Sequence, residues 1–175
     1  IRVVLKGMPV VARGVLPPEM PGYNGRLVGL GHDPERARQL IAESRYGSAE
    51  ALPPIVLHIG GEVGSLPHSI EALLAMWEES LGVQVEAEAV DWPTFLREIN
   101  ERRYPMYLLG WIADYPDPHN FLDLLFYGAS GENHTGYANP QVDQLLMLAR
   151  AEQNEGRRVA LYRQVEGLVI NDEVW

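Results

Sequence analysis

The chain has 175 residues, of which 46% are hydrophobic, and this is enough to bury the core of one domain. A formal net charge of -10 and the lack of any long Lys or Arg run exclude a phosphate-binding surface, so no nucleic acid partner is expected. Cysteine is absent, which excludes disulfides, thiolate zinc sites and a cysteine nucleophile.

The chain contains no targeting pattern of its own. Ile1 is followed by neither the basic nor the apolar region of a signal peptide, and no apolar run approaches the roughly 18 residues of a membrane span. Because it starts at Ile1 and ends on the apolar Trp175, we expect a fragment of a longer protein.

Residues 1–31 are rich in proline and glycine, which predicts extended and turning backbone laid across a domain surface. We therefore divide the chain into this extended segment and an α/β ligand-binding lobe over residues 32–175. The lobe opens with Asp33-Pro34-Glu35, which supplies an N-cap, a proline at the first helical position and an acidic first turn. These residues predict a helix over about 33–45.

Strand and helix patterns then alternate. Strands are indicated by short apolar runs or by strict apolar–polar alternation, and helices by apolar residues three and four apart. In chain order, the predicted elements are a strand at 55–59, a helix at 70–81 stopped by Gly82, a strand at 83–89, a helix opened by Asp91-Trp92-Pro93 and a strand at 106–111.

This βαβαβ order predicts an α/β fold with a mixed, mainly parallel sheet flanked by helices. Ligands of such sheets bind beyond the carboxyl ends of the strands, so the segment 111–118 is the first place to look for chemistry. Two further helices, one beginning at Asn139-Pro140 and one containing Leu161 to Val169, are expected to pair and cover the sheet.

Two carboxylates, Asp114 and Asp117, stand in that segment, and paired carboxylates can perform acid–base catalysis or hold a hard cation. Asp117 precedes Pro118 and an apolar run, which predicts a helix cap with little further role. Asp114 has no comparable structural explanation. It stands beside Trp111 and Tyr115, and a carboxylate among aromatic rings suits an ammonium group.

The other polar residues show no catalytic or metal-binding pattern. No two of the five histidines share a helical face with a carboxylate, so neither a metal nor a cofactor is predicted. The stretch 60–64 lacks the lysine and hydroxyl residue of a phosphate loop and is interpreted as an ordinary loop. Trp77 is expected in the core, whereas Trp92 and Trp111 stand at the ends of elements, where they can wall a pocket.

The stretch from Gly110 to Leu122 resembles a segment of one known family. In that segment the motifs Gly-Trp-x-x-Asp, Asp-Pro and Asn-Phe-Leu follow one another in this order. This family is the peptide, oligopeptide and nickel class of extracellular solute-binding proteins, the capture components of ABC importers. Further stretches resemble the same family in the same order, and together they cover nearly the whole chain: 16–23, 33–43, 137–143 and 157–162.

The resemblance implies a periplasmic-binding-protein-like (type II) lobe, with this chain forming most of the second, C-terminal lobe and the first lobe coming from sequence before and after it. It implies a periplasmic or extracellular protein, in some cases a membrane-anchored lipoprotein. The implied partners are a peptide or other small solute, enclosed by closure of two lobes, and the membrane permease of an ABC importer. Enzymatic activity is not implied.

The resemblance also assigns roles to individual residues. In the family's peptide binders the motif aspartate pairs with the amino terminus of the ligand, which assigns this role to Asp114. The motif tryptophan lines a side-chain pocket, here Trp111, and a second pocket tryptophan nineteen residues earlier is matched by Trp92. With their neighbours, the predicted ligand-binding residues are Asp114, Trp111, Trp92, Gly110, Ile112 and Tyr115.

The chain departs from these binders where they hold the ligand's carboxylate. The helix positions that are basic in these binders are occupied here by Ile99 and Asn100. The position three before the motif tryptophan, also basic in the binders, is occupied by Leu108. Arg102 and Arg103 stand nearby. Longer peptides held nonspecifically at the far end fit this pattern, as does a cationic ligand without a carboxylate. Three alternatives stay open: a family member that binds a nickel complex, a sugar or an opine; a hydrolase using the two aspartates; and a structural or sensory module.

Overall fold

The computed structural model describes residues 11–29 and 31–174, and the structural statements below concern these residues. The described chain forms two compact units. The first comprises residues 32–109, and the second combines residues 11–31, without Leu30, with residues 110–174. Of the predicted segment 1–31, residues 1–10 and Leu30 lie outside the described residues, and the division at residue 31 stays a prediction.

The first unit contains the predicted βαβαβ arrangement, preceded by a helix. Its strands lie in the order β2-β1-β3, and β1 pairs in parallel with both neighbours, which confirms the α/β class and the parallel pairing. The elements are α1 (Pro34–Glu43), β1 (Ile55–Gly60), α2 (His68–Leu81), β2 (Val85–Val90), α3 (Trp92–Asn100) and β3 (Tyr107–Leu108).

Local sequence signals set the ends of these helices. The Asp33 carboxylate accepts the Arg36 backbone N–H at 2.9 Å, and a proline follows at the first helical position of α1. Asp91 caps α3 in the same way, through the Thr94 backbone N–H at 3.1 Å. Gly82 ends α2 with φ of 68°, a left-handed conformation that glycine adopts without steric cost.

The core of the first unit lies between the sheet and its helices. Leu57 and Ile59 of β1 pack with Ile70 of α2, and Phe95 of α3 is completely buried. The predicted strand at 106–111 is wrong in length, since only Tyr107–Leu108 pair with β1. The ladder stops there because β1 itself ends one residue after the pairing of Ile59 with Leu108.

The second unit is helical. A π-helical turn, His119–Asp123, runs directly into the short α4 (Leu124–Phe126), and the paired helices α5 (Pro140–Ala151) and α6 (Glu155–Asn171) follow. Pairing of the last two helices is confirmed. Their buried faces pack on each other and on the 119–126 turns. The expectation that they cover the sheet stays a prediction.

Residues 11–29 contain turns and bends without a helix or strand, and they dock on α6. Leu16 is 2% exposed and belongs to the same core as α5 and α6. Its backbone N–H donates to the buried carboxylate of Glu166 at 2.9 Å. Arg163 Nε donates to the Gly22 carbonyl at 3.0 Å, so two side chains of α6 hold this segment by its backbone.

Candidate ligand-binding site

In the first unit, the carboxyl ends of the parallel strands meet at one edge of the sheet. Gly60 is the last residue of β1, and Trp92 begins α3 directly after β2. The indole of Trp92 is 49% exposed, so it presents surface at the edge where ligands of parallel sheets bind. Of the predicted ligand residues, it is the one that belongs to this unit.

The Trp92 ring lies directly on the backbone of Gly60. A Cβ atom added to Gly60 would be 2.3 Å from Trp92 Cε3 and 2.4 Å from Cζ3. The ring also stacks on Phe95, with 5.6 Å between centroids and 24° between planes. One face of the indole is therefore fixed on buried structure while the rest is open.

Arg103, one of the basic residues near α3, is engaged in ion pairs. Arg103 Nη1 lies 3.3 Å from Glu98 Oε2, and its other terminal nitrogen pairs with Glu101. Ile99, at one of the positions where the resemblance implies a basic residue in peptide binders, is completely buried. Arg103 is therefore committed within its own unit, and Ile99 is core.

A groove of about 900 Å³ in the first unit lies at the opposite edge of the sheet. It is lined at the amino ends of β1 and β2, by Ile55 and Val85, and along one side of α2. It contains none of the predicted ligand residues. Because ligands of parallel sheets bind at the carboxyl edge, this groove is not the candidate site.

In the second unit, residues 110–115 form an exposed, irregular segment. Ile112 is 89% exposed, Tyr115 is 42% exposed, and Asp114 is also exposed. A Cβ added to Gly110 would meet no atom within 4 Å. Among the described residues, none makes a backbone hydrogen bond with residues 110–114, so the N–H and C=O groups of this segment are available to a ligand.

Trp111 anchors this segment. The indole is half-buried against the core of the second unit, and its Nε1–H donates to Asn120 Oδ1 at 2.9 Å. Asn120 is completely buried in the π-helical turn, and its Nδ2 has no hydrogen-bond partner among the described residues. π-Helical turns often mark functional sites, and here the turn buries the amide that holds the motif tryptophan.

Asp117 makes more contacts than a helix cap requires. Its Oδ1 accepts the His119 backbone N–H at 2.8 Å, but the N-cap position of the π-helical turn is Pro118, so the prediction that Asp117 is the cap is wrong by one residue. Arg158 of α6 also donates to both carboxylate oxygens, each at 2.7 Å, which corrects the prediction of little further role. The bidentate bonds from Arg158 hold the pKa of Asp117 below its ordinary value.

Asp114 differs from Asp117 in having no such partner. No described residue donates a hydrogen bond to the Asp114 carboxylate or forms an ion pair with it within 4.0 Å. Its neighbour Tyr115 is oriented by His119, whose Nδ1 lies 2.7 Å from the Tyr115 hydroxyl. The segment therefore combines a carboxylate that has no partner among the described residues with two side-chain rings, those of Trp111 and Tyr115, that are held by hydrogen bonds.

The structure brings five of the six predicted ligand residues together as one segment, Gly110 to Tyr115, and places Trp92 in the other unit. Sequence reasoning gave no role to three residues that support them: Gly60 beneath Trp92, Asn120 behind Trp111 and Arg158 on Asp117.

Among the described residues, no group of three or more His, Asp or Glu side chains is placed to hold a metal ion. The described helices include none with the length and apolar character needed to cross a bilayer.

The chain is similar to several known proteins. Residues 1–133 match the middle region of the bacterial extracellular solute-binding proteins, family 5. The chain is 28% identical to the oligopeptide-binding protein of Bacillus subtilis over 98% of its own length and 32% of that protein. It is also 28% identical to heme-binding protein A of Haemophilus influenzae, over 100% of this chain and 32% of that protein.

Among solved structures, the ABC transporter-associated periplasmic binding protein of Helicobacter pylori, in complex with a peptide, superposes with a TM-score of 0.87 at 22% identity. The match covers 99% of this chain and 34% of that one, and it establishes the fold as that of a periplasmic binding protein. The chain thus spans about a third of the length of the relatives it matches. Its sequence and its fold together show that the chain belongs to the bacterial extracellular solute-binding proteins, family 5.

Proposed function

We propose that this chain supplies part of the ligand-binding region of a protein that captures peptides or oligopeptides outside the cytoplasm. This protein delivers them to the membrane permease of an ABC importer. In this proposal Asp114 binds the amino terminus of the peptide. The observation that carries it is the contrast between two nearby carboxylates, since Asp117 is saturated by Arg158 while Asp114 is exposed and has no described partner.

The backbone of residues 110–114 supports a peptide ligand in particular. Its N–H and C=O groups have no backbone partner among the described residues, and an extended peptide can pair with such groups as an added strand does. Main-chain pairing is independent of the ligand's side chains. It therefore suits a protein that captures many peptides, with Asp114 fixing the position of the first residue.

Apolar and aromatic surface supplies the contacts for ligand side chains. In the second unit, Ile112 and Trp111 belong to the backbone segment and Tyr115 follows it; the first unit, taken by itself, presents the exposed indole of Trp92. Aromatic rings bury large apolar area with few rotatable bonds, so little entropy is lost when a ligand side chain packs on them. Gly110 leaves the backbone open to close approach.

Calorimetry on the complete protein with a tri-alanine peptide tests this proposal. Asp114→Asn removes the charge of the ammonium partner, and we expect the affinity to fall by about tenfold or more, as for a charge-assisted hydrogen bond of roughly 1.5 to 3 kcal/mol. N-acetylation of the peptide should weaken binding to the wild-type protein and leave binding to the variant unchanged. Equal affinities of both proteins for the free peptide would contradict the role of Asp114.

A second candidate is capture of a non-peptide solute, because a relative that matches over the whole chain is named a heme-binding protein. The nickel complexes, sugars and opines considered from the sequence belong to the same alternative. Mass spectrometry of the ligand retained by the purified complete protein separates the two. Peptides in the denatured extract support the first candidate, whereas a porphyrin, sugar or metal complex supports the second.

The arrangement does not favour hydrolysis by the two aspartates. A general acid needs a pKa raised toward neutrality, but Arg158 lowers the pKa of Asp117. The family consists of solute-binding proteins, which agrees with a binding role. Cleavage of a peptide by the pure protein, lost on Asp114→Asn, would restore the hydrolase alternative.

A further inference from the structure

We infer that Gly60 determines how far the Trp92 indole projects from the sheet, and that it thereby makes the Trp92 surface spacious enough for a bulky apolar ligand side chain. The selectivity part of this inference rests on the proposed peptide-binding function. The positional part rests only on contacts within the first unit.

The first step is steric. Carbon atoms in ordinary contact lie about 3.5 to 4.0 Å apart, whereas a Cβ on residue 60 would be 2.3 Å from Trp92 Cε3. The conflict involves two ring atoms, since Cζ3 would lie at 2.4 Å. Any residue other than glycine would therefore require the indole to shift by more than about 1 Å.

The second step concerns direction. The same Cβ would lie 2.8 Å from Phe95 Cδ1, and Phe95 is completely buried. Phe95 in turn stacks on Tyr104 and meets the edge of Tyr107, with centroids 6.0 and 6.5 Å away. Because the inward side is filled by these rings, the half-exposed indole has room to move only toward solvent, into the space that a ligand side chain would take.

The third step is a comparison with Gly61, the next residue. A Cβ on Gly61 would meet no atom within 4 Å, and neither glycine has a positive φ. The two glycines are adjacent in the chain, and the same change to alanine can be made at each. Alanine at 60 displaces the indole, while alanine at 61 does not, so Gly61→Ala is a matched control.

The first measurement uses no ligand. Acrylamide quenching is recorded for Gly60→Ala and Gly61→Ala in the complete protein, each with and without Trp92→Phe, so that the difference isolates the Trp92 signal. We expect a higher quenching constant for Trp92 in Gly60→Ala and no change in Gly61→Ala. Identical Trp92 quenching in both variants would overturn the inference. If Gly60→Ala fails to fold, Gly60→Ala with Trp92→Leu should fold, because leucine removes the indole atoms and leaves only the longer approach of 2.8 Å to Phe95 Cδ1. Failure of both would show that Gly60 accommodates Phe95 and not Trp92, and would overturn the inference.

The second measurement tests selectivity with tri-alanine and the three peptides in which one Ala is replaced by Trp. Gly60→Ala should weaken the tightest Trp-containing peptide by about tenfold, as expected for overpacking, and leave tri-alanine unchanged. Equal losses for both peptides, despite altered quenching, would overturn the selectivity. If the wild-type protein binds none of these peptides, the proposed function and the selectivity both fail, while the quenching result still decides the position of Trp92.

Discussion

Arg158 donates to both carboxylate oxygens of Asp117, each at a distance of 2.7 Å, and the same guanidinium lies 4.9 Å from the centre of the Tyr162 ring. This pair joins the end of the candidate ligand segment to α6. Asp117 stands three residues after Asp114. Two carboxylates close in sequence therefore differ, since that of Asp117 is paired with Arg158 and that of Asp114 has no partner among the described residues. The pair fixes the segment without occupying Asp114.

Acid should weaken the second unit through Asp117. Its pKa is lower in the folded protein than in the unfolded chain, where it is about 3.9. The stabilisation is therefore present above that value and is lost as the pH falls through the folded pKa. We expect Asp117→Asn to lower the free energy of unfolding at neutral pH by roughly 1 to 3 kcal/mol and to reduce the loss of stability below about pH 4.

Urea unfolding at several pH values measures this effect. Arg158→Met should resemble Asp117→Asn at neutral pH, whereas Arg157→Met is the control, because Arg157 is exposed and lies 3.9 Å from Glu152. A profile in Asp117→Asn with the same acid limb as the wild type would show that another carboxylate is responsible.

Glu166 should have the opposite pH dependence. Burial raises its pKa above the ordinary value of about 4.3. Its contribution is therefore fully present below that value and is lost as the pH rises through the folded pKa. Glu166→Gln retains an acceptor for the Leu16 N–H without the buried charge. We therefore expect urea unfolding to show that this variant is more stable than the wild type at neutral pH and lacks the part of the pH dependence that comes from Glu166.

Glu166→Ala is the companion variant. It leaves the buried Leu16 N–H without its acceptor, and the expected loss of stability is about 1 to 3 kcal/mol. Limited proteolysis should then cut within residues 11–29, which α6 holds in the native protein. Resistance equal to that of the wild type would contradict the anchoring role.

The indole of Trp111 should contribute to stability through Asn120. Trp111→Phe keeps a ring but leaves the buried Asn120 amide without the donor to its oxygen, and its nitrogen already has no described partner. We expect a loss of about 1 to 3 kcal/mol by thermal or urea unfolding. Adding Asn120→Leu should recover much of it, since both polar partners are then gone. Trp77→Phe is the control, because Trp77 makes no hydrogen bond with a described residue.

Substitution of either partner in the Asp123–Arg150 pair should lower the free energy of unfolding, but by different amounts. Arg150 donates to Asp123 through Nε at 2.8 Å and Nη2 at 2.6 Å. The Asp123 side chain is 3% exposed, whereas that of Arg150 is 41% exposed. Arg150→Met leaves the buried carboxylate with the weaker contact to His119 Nε2, 3.8 Å from Asp123 Oδ1, and should cost about 3 kcal/mol or more. Asp123→Asn leaves a cation that water can reach and should cost less. Equal losses in urea unfolding would contradict this reasoning.

Much of the first unit was predictable because its signals are local. Asp33, Asp91 and Gly82 act on residues within one helical turn, and their chemistry is visible in the sequence. Strand periodicity located β1 and β2 for the same reason. The length of β3 was not predictable, since it depends on where the neighbouring strand ends.

The supporting residues of the candidate site were missed because their partners are distant in sequence. Arg158 is 41 residues from Asp117, and Gly60 precedes Trp92 by 32. Gly60 was interpreted as part of a loop because it lacks a phosphate-binding motif, although close packing of a ring is an equally good reason for glycine. No local pattern distinguishes these two reasons.

The interleaving of the two units has a consequence for folding. Residues 32–109 are one continuous stretch between the two described parts of the second unit, so the contacts that these residues make with one another are comparatively local. The second unit needs the contact of Leu16 with Glu166, which are 150 residues apart. During synthesis the Leu16 N–H therefore has no native acceptor until Glu166 of α6 has emerged from the ribosome, and we expect residues 11–29 to reach their final position only then.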